Sequence, residues 1–134
     1  MEKKENKFIN KYFDDYNKLL LSNFDEVKKK LILIKKNFLQ IKKNKKKIII
    51  FGNGGSAAIS SHFSVDMTKN ANIRCINFNE PDLITCFSND FGYDNWLSNS
   101  IKFYGDKGDI LIAISSSGKS KNIINGCAAA KKKK

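Results

Sequence analysis

Apolar and polar positions along the chain follow two different rhythms, and the change from one to the other divides it. In the N-terminal part Phe8, Tyr12, Tyr16 and Leu19 or Leu20 recur at spacings of three and four, which lines one face of a helix with aromatic and aliphatic side chains. Val27, Leu31, Ile34, Phe38 and Ile41 repeat that spacing and predict a second amphipathic helix, regular enough to lie against another helix. Between the stripes, Ser22 and Asn23 are each followed three residues on by Asp25 and Glu26, the pattern of a capping box at a helix start. Residues 1–46 are therefore read as a helical region for self-association, with packing onto its own domain as the alternative.

From Ile48 the rhythm changes to short, continuous apolar runs. Ile48-Ile49-Ile50-Phe51 has no polar alternation, as suits a strand covered on both faces in a parallel sheet. Ile73 to Phe78 and Ile110 to Ile114 predict two more strands, with a helix over residues 57–69 between the first and second. Leu83 to Phe87 and Trp96 to Phe103 predict helical pieces around a loop from Ser88 to Gly92, with Pro81 placed to open the first. Lys121 to Lys134 predicts a final helix. Strands alternating with helices define an α/β fold, a doubly wound parallel sheet of three strands flanked by helices. In such a sheet the loops leaving the strand C-termini share one edge, so Asn53 to Ser56, Asn79 to Pro81 and Ser115 to Ser120 are expected to converge.

The 134 residues include 25 basic and 13 acidic ones, a net charge of +12, which by itself would favour a nucleic acid or anionic surface. The distribution argues otherwise. Ten lysines lie between Lys28 and Lys47, largely opposite the apolar stripe, four more close the chain, and Arg74 is the single arginine. Base reading and bidentate phosphate contacts lean on arginine. Cys75, Cys86 and Cys127 are odd in number and widely spaced, so they predict neither a disulfide framework nor a CxxC metal site. With no leader-like or membrane-length apolar run, the expected location is the cytoplasm.

Chemistry concentrates in the loops. Gly52-Asn53-Gly54-Gly55-Ser56 brings backbone N–H groups close to a ligand at a helix N-terminus, where partial positive charge favours phosphate. Ser115-Ser116-Ser117-Gly118-Lys119-Ser120 adds hydroxyls and an ammonium. Together they suit a phosphate and several sugar hydroxyls.

Three stretches, GNGGSAAISSHFSVDMTKNA, SNDFGYDNW and GDILIAISSSGKSKNII, resemble in their order the sugar isomerase (SIS) domain family, most closely its phosphoheptose isomerase members. The resemblance covers residues 47–134, taken as the N-terminal part of an SIS domain. It implies aldose–ketose isomerisation of sedoheptulose 7-phosphate to D-glycero-D-manno-heptose 7-phosphate for surface-glycan synthesis, in a homotetramer with sites at subunit interfaces. It places substrate contacts on Asn53, Gly54, Gly55 and Ser56 and on Asn89 and Asp90, and phosphate contacts on Ser115, Ser116, Ser117 and Ser120. His62 and Asp66 stand where the family binds a metal, often zinc, with Asp66 as candidate base. One helical turn puts both on one face. An exposed ion pair is the plainer reading of that spacing.

The reaction needs a base, an acid and stabilisation of an enediol oxyanion, which a metal at His62 could assist as a Lewis acid. Two departures stand out. Asp66 replaces the family's usual glutamate, shortening the reach by a methylene. The family also continues with further strands and a helix carrying a glutamine and a histidine, whereas this chain has one histidine. The expectation is a fragment, or a site completed from elsewhere, with an exposed sheet edge and low stability. The alternatives are a non-catalytic SIS sugar-phosphate or protein-binding adaptor, another phosphosugar isomerase, and a nicotinamide-binding domain suggested by Gly52-x-Gly54-x-x-Ala57. Glu80 lies too far along for the last of these.

Overall fold

The computed structural model describes residues 2–133, which form two compact units, one up to Asn37 and one from Phe38 onward. In the first, α1 (Glu2–Ser22) and α2 (Phe24–Lys43) are separated by Asn23 alone, whose carbonyl accepts the Val27 N–H at 3.0 Å. The expected Ser22 capping box is not what forms. Ser22 is still the last residue of α1, and its hydroxyl donates back to the Leu19 carbonyl at 3.1 Å, because a serine in a last helical turn lies closer to its own i−3 carbonyl than to the next helix. Asp25 and Glu26 in the first turn of α2 and Lys42 and Lys43 in the last complement its dipole. The predicted stripes are exposed, with Phe8 at 71% and Leu31 at 58%.

The last turns of α2 belong to the second unit, where Phe38 and Ile41 join its core. Here β1 (Ile48–Gly52), α3 (Gly55–Lys69), β2 (Cys75–Ile76), α4 (Pro81–Phe91), α5 (Trp96–Tyr104), β3 (Ile110–Ile114) and α6 (Lys121–Lys131) follow in order. The sheet runs β2-β1-β3, with both pairings parallel. β1 is buried along its whole length. Ile49 and Phe51 pack with Trp96, Leu97, Ile101 and Ile123 on one face, and Ile48 and Ile50 with Ile41, Ile73 and Cys75 on the other. The unbroken apolar run is thus explained: each isoleucine faces a helical layer, and each such burial stabilises by about 2 kcal/mol.

Three boundaries differ from expectation. β2 is two residues long, since only Cys75 and Ile76 pair with β1 before Asn77 and Asn79 bind side chains of α3. The segment expected as a loop from Ser88 continues α4 to Phe91, and Gly92, at φ 78°, ends it with its N–H on the Ser88 carbonyl. A positive φ is cheap for glycine, so the stop falls there and not earlier. The final helix ends at Lys131, and Lys134 lies outside the described residues. No described helix is long and apolar enough to cross a membrane.

At the end of the sheet opposite the glycine turn, Lys47 Nζ pairs with Asp109 at 2.7 Å and Asp106 at 2.6 Å. The Asp109 carboxylate also accepts the backbone N–H groups of Lys47 and Asp106 at 3.0 and 2.8 Å, locking the start of β3 to β1.

Candidate active site

The strand order reverses at β1. β1 and β3 are paired in register up to Gly52 opposite Ile114, while α3 packs on one face of the sheet and α6 on the other. The loops leaving the two strands therefore start side by side and diverge at the switch point, the place where open α/β sheets take ligands in a crevice.

The loop after β1 is shaped by glycines with separate tasks. A Cβ on Gly52 would lie 2.6–2.8 Å from the Cβ, carbonyl carbon and oxygen of Ser56, so its absence lets α3 start directly over the strand end. Gly54 holds φ 54° and ψ −124°, a conformation that side chains of L-residues disfavour. No side chain caps α3, and its first turn holds no acidic residue, leaving its N-terminal dipole without a protein counter-charge.

The serine loop is organised by its own side chains. Ser115 Oγ accepts the Gly118 N–H at 3.1 Å and Ser117 Oγ the Lys119 N–H at 3.2 Å. Ser116 and Ser120 hydroxyls have no hydrogen-bond partner among the described residues, and Ser120 sits at the N-cap of α6 without capping it. The loop thus presents free hydroxyls beside a helix N-terminus, an arrangement suited to phosphate.

The glycine loop is joined to the first turn of α6, directly after the serine loop. Asn53 Nδ2 donates to Asn122 Oδ1 at 3.0 Å, and Asn122 Nδ2 donates back to Asn53 Oδ1 at 2.8 Å. Tyr93, from the segment after α4, donates its hydroxyl to Asn53 Oδ1 at 3.4 Å. Neither Asn122 nor Tyr93 stood out in the sequence. Both are ordinary polar residues there, and only the register of β1 with β3 puts Asn122 opposite Asn53.

The other expected residues lie apart from this junction. Asn89 and Asp90, in the last turn of α4, bond to each other at 3.0 Å, and Asp90 accepts the Cys86 thiol at 3.7 Å. The negative charge of Asp90 beside it pushes the Cys86 thiol up from its usual range. Asn79 donates to the Ala57 carbonyl and Ser61 hydroxyl at 2.8 and 2.7 Å, so the third loop lies against the early turns of α3. His62 and Asp66 face one another on α3 at 3.4 Å, with side chains 81% and 50% exposed, and Asn70 donates to Asp66 Oδ1 at 3.1 Å. No hydrogen bond among the described residues ties either to Asn53 or to the serine loop. Two donors on one turn are fewer than the three or four protein ligands of a zinc site. Among the described residues no group of three or more His, Cys, Asp or Glu could hold a metal ion, so these residues alone do not make a zinc site.

The family described as the SIS domain matches residues 11–134. The phosphoheptose isomerase of Buchnera aphidicola subsp. Acyrthosiphon pisum (strain APS) is 41% identical over an alignment covering 91% of this chain and 68% of that protein. The one from Glaesserella parasuis serovar 5 (strain SH0165) is 36% identical over 93% and 63%. Among solved structures, phosphoheptose isomerase GmhA from Neisseria gonorrhoeae superposes with a TM-score of 0.75 at 29% identity, over 93% of this chain and 70% of that one. A phosphoheptose isomerase from Francisella tularensis shares the fold at a TM-score of 0.87 and 22% identity. The chain thus spans about two thirds of the length of these relatives and belongs to the SIS-domain family, among the phosphoheptose isomerases.

Proposed function

We propose that this chain acts as a phosphosugar aldose–ketose isomerase, converting sedoheptulose 7-phosphate to D-glycero-D-manno-heptose 7-phosphate for surface-glycan synthesis in the cytoplasm. The observation that carries the proposal is the joining of the glycine and serine loops at one rim through Asn53 and Asn122. In this reading the phosphate sits on the N-terminus of α6, held by Ser116 and Ser120, with Ser115 and Ser117 fixing the loop shape. Asn53, Gly54, Gly55 and Ser56 bound the sugar on one side, and Asn89 and Asp90, in the last turn of α4, are further proposed substrate contacts. Anchoring the remote phosphate converts its binding energy into orientation at the reacting carbons.

Asp66 is the proposed base, taking a proton from the carbon beside the carbonyl and returning it to the neighbouring carbon. At 1.5 Å per residue it stands about 16 Å along α3 from Gly55, too far to serve a sugar whose phosphate lies in its own crevice. It therefore acts on the crevice of a second copy, in a homo-oligomer, the tetramer that the family resemblance implies. Exposed Ile59 and Val65 near it on α3 support a covered face, as do the exposed stripes of α1 and α2. Zinc is the proposed ion for His62 and Asp66, two donors to which others must be added to complete a site.

The test is calorimetric titration with sedoheptulose 7-phosphate, with aldose formation followed in parallel. Saturable binding that the double variant S116A/S120A weakens at least about tenfold is expected, each lost hydrogen bond to a charged group being worth roughly 1.5 kcal/mol or more. Binding no tighter than that of inorganic phosphate would reject the sugar site. Tight binding without turnover would favour a sugar-phosphate sensor.

A further inference from the structure

A buried amide lies at the base of the proposed site. Asn122 is in the first turn of α6, and only 2% of it is exposed. A buried amide must have its hydrogen bonds met, and Asn122 meets them through Asn53, 69 positions away in sequence. The pairing is reciprocal: each amide gives one N–H and receives one, closing a ring that fixes both side chains in plane and separation. Tyr93 takes a further lone pair on Asn53 Oδ1. With its oxygen bonded twice and one N–H spent, the Asn53 side chain keeps a single N–H free.

We infer that Asn122 is a positioning residue, which acts through Asn53 to set the distance between the sugar-binding glycine turn and the phosphate-binding serine loop. The inference rests on the isomerase reading for what lies in the crevice. Its physical basis is that β1 and β3 end side by side while α3 and α6 diverge to opposite faces, so the ladder holds the strand ends but leaves the loops beyond them free to splay. The amide ring is the side-chain link between them at that point. It makes the crevice selective for length: a ligand touching only the serine loop does not sense it, and one that spans both loops does.

The substitution N122L keeps the branching of the side chain, at a somewhat larger volume, and removes both hydrogen bonds, whereas N122D keeps one acceptor and replaces the returning N–H by an oxygen. In N122D the introduced carboxyl faces Asn53 Oδ1 as an acceptor against an acceptor. Burial raises its pKa, and once protonated it donates to Asn53 and restores the ring. The probes are sedoheptulose 7-phosphate, which spans both loops, and inorganic phosphate, which does not, each titrated calorimetrically beside the unsubstituted chain at every pH.

N122L is expected to weaken sugar-phosphate binding about tenfold and to leave inorganic phosphate within about twofold, as loss of orientation without loss of the anion site requires. N122D should show the same selective loss near neutrality and recover it, relative to the unsubstituted chain, as pH falls towards about 5. Equal losses for both probes would overturn the inference in favour of a purely structural role, and so would no loss in either variant. Should N122L not fold, the pH dependence of the probe ratio in N122D decides alone, an unchanging ratio being the contrary result. If the unsubstituted chain binds inorganic phosphate but not the sugar phosphate, the isomerase reading itself fails. That outcome is distinct from selective binding that is insensitive to residue 122.

Discussion

Gly52→Ala isolates the packing on which the crevice depends. The new methyl would lie 2.6 Å from Ser56 Cβ and 2.7 and 2.8 Å from its carbonyl carbon and oxygen, whereas carbon atoms pack at about 3.5–4.0 Å. Roughly 1 Å of relief is needed, and neither side yields easily. Gly52 is held in the ladder opposite Ile114. Ser56 is held by its N–H on the Asn53 carbonyl at 3.0 Å and by the Ser60 hydroxyl on its own carbonyl at 2.8 Å. Overpacking typically costs 1–3 kcal/mol, and backbone on both sides places this case near about 3 kcal/mol. For a unit of this size that lowers Tm by about 12–24 °C.

The neighbouring glycines give a graded control. A Cβ on Gly54 meets nothing within 4 Å but inherits φ 54° and ψ −124°, a strain of about 1–3 kcal/mol, while Gly55 is open and has ordinary helical geometry. G55A should therefore fall within about 0.5 kcal/mol of the unsubstituted chain. Thermal melts followed by far-ultraviolet circular dichroism should place both G52A and G54A below G55A. A G52A protein that melts within about 3 °C of the parent would refute the steric argument.

The Lys47 cluster predicts a pH window and a mutational cost. Its hydrogen bonds and ion pairs with Asp106 and Asp109 outweigh burial and raise the Lys47 pKa above 10.5, so that contribution is complete below 10.5 and is lost as pH rises through the folded value. The Lys47 ammonium holds Asp106 below 3.8, so its share is present above that value and is lost on further acidification. Stability should thus decline at both extremes, and K47M, measured by urea denaturation, should cost about 3 kcal/mol for breaking a buried pair and flatten the alkaline limb. An unchanged midpoint would contradict the network. Cysteine labelling gives an independent readout: burial pushes the Cys75 thiol up to about 11, so at pH 8 it should react with iodoacetamide only after unfolding. Cys86 is exposed and should react in the folded state, faster in D90N, which removes the charge opposing thiolate formation.

The sheet was legible because its strands carry their surroundings in their composition. Ile48 to Phe51 faces apolar layers on both sides, and a short β-branched run ended by glycines suits a strand buried in that way. The amphipathic helices were legible from their three-and-four spacing. The capping box does not form because the Ser22 hydroxyl donates to the Leu19 carbonyl and accepts from the Asn23 amide, and sequence does not rank these partners against the N–H groups of α2. Asn89 and Asp90 were expected in a loop since Ser, Asn and Asp favour turns, yet Gly92 is the residue that permits the reversal, so α4 runs on to it. The convergence of the glycine and serine loops followed from parallel topology. Its mechanism did not, because the pairing of Asn53 with Asn122 depends on strand register. His62 and Asp66 were rightly placed on one face of α3, while their separation from the crevice is a matter of rise along a helix that begins at its rim.

The most direct test of the account is a titration of the isotopically labelled chain with sedoheptulose 7-phosphate, followed by amide chemical shifts. The account predicts that amides of Asn53 to Ser56 and of Ser115 to Asn122 shift together and saturate along one binding curve. Shifts confined to one loop, or to the lysines of α2, would contradict it.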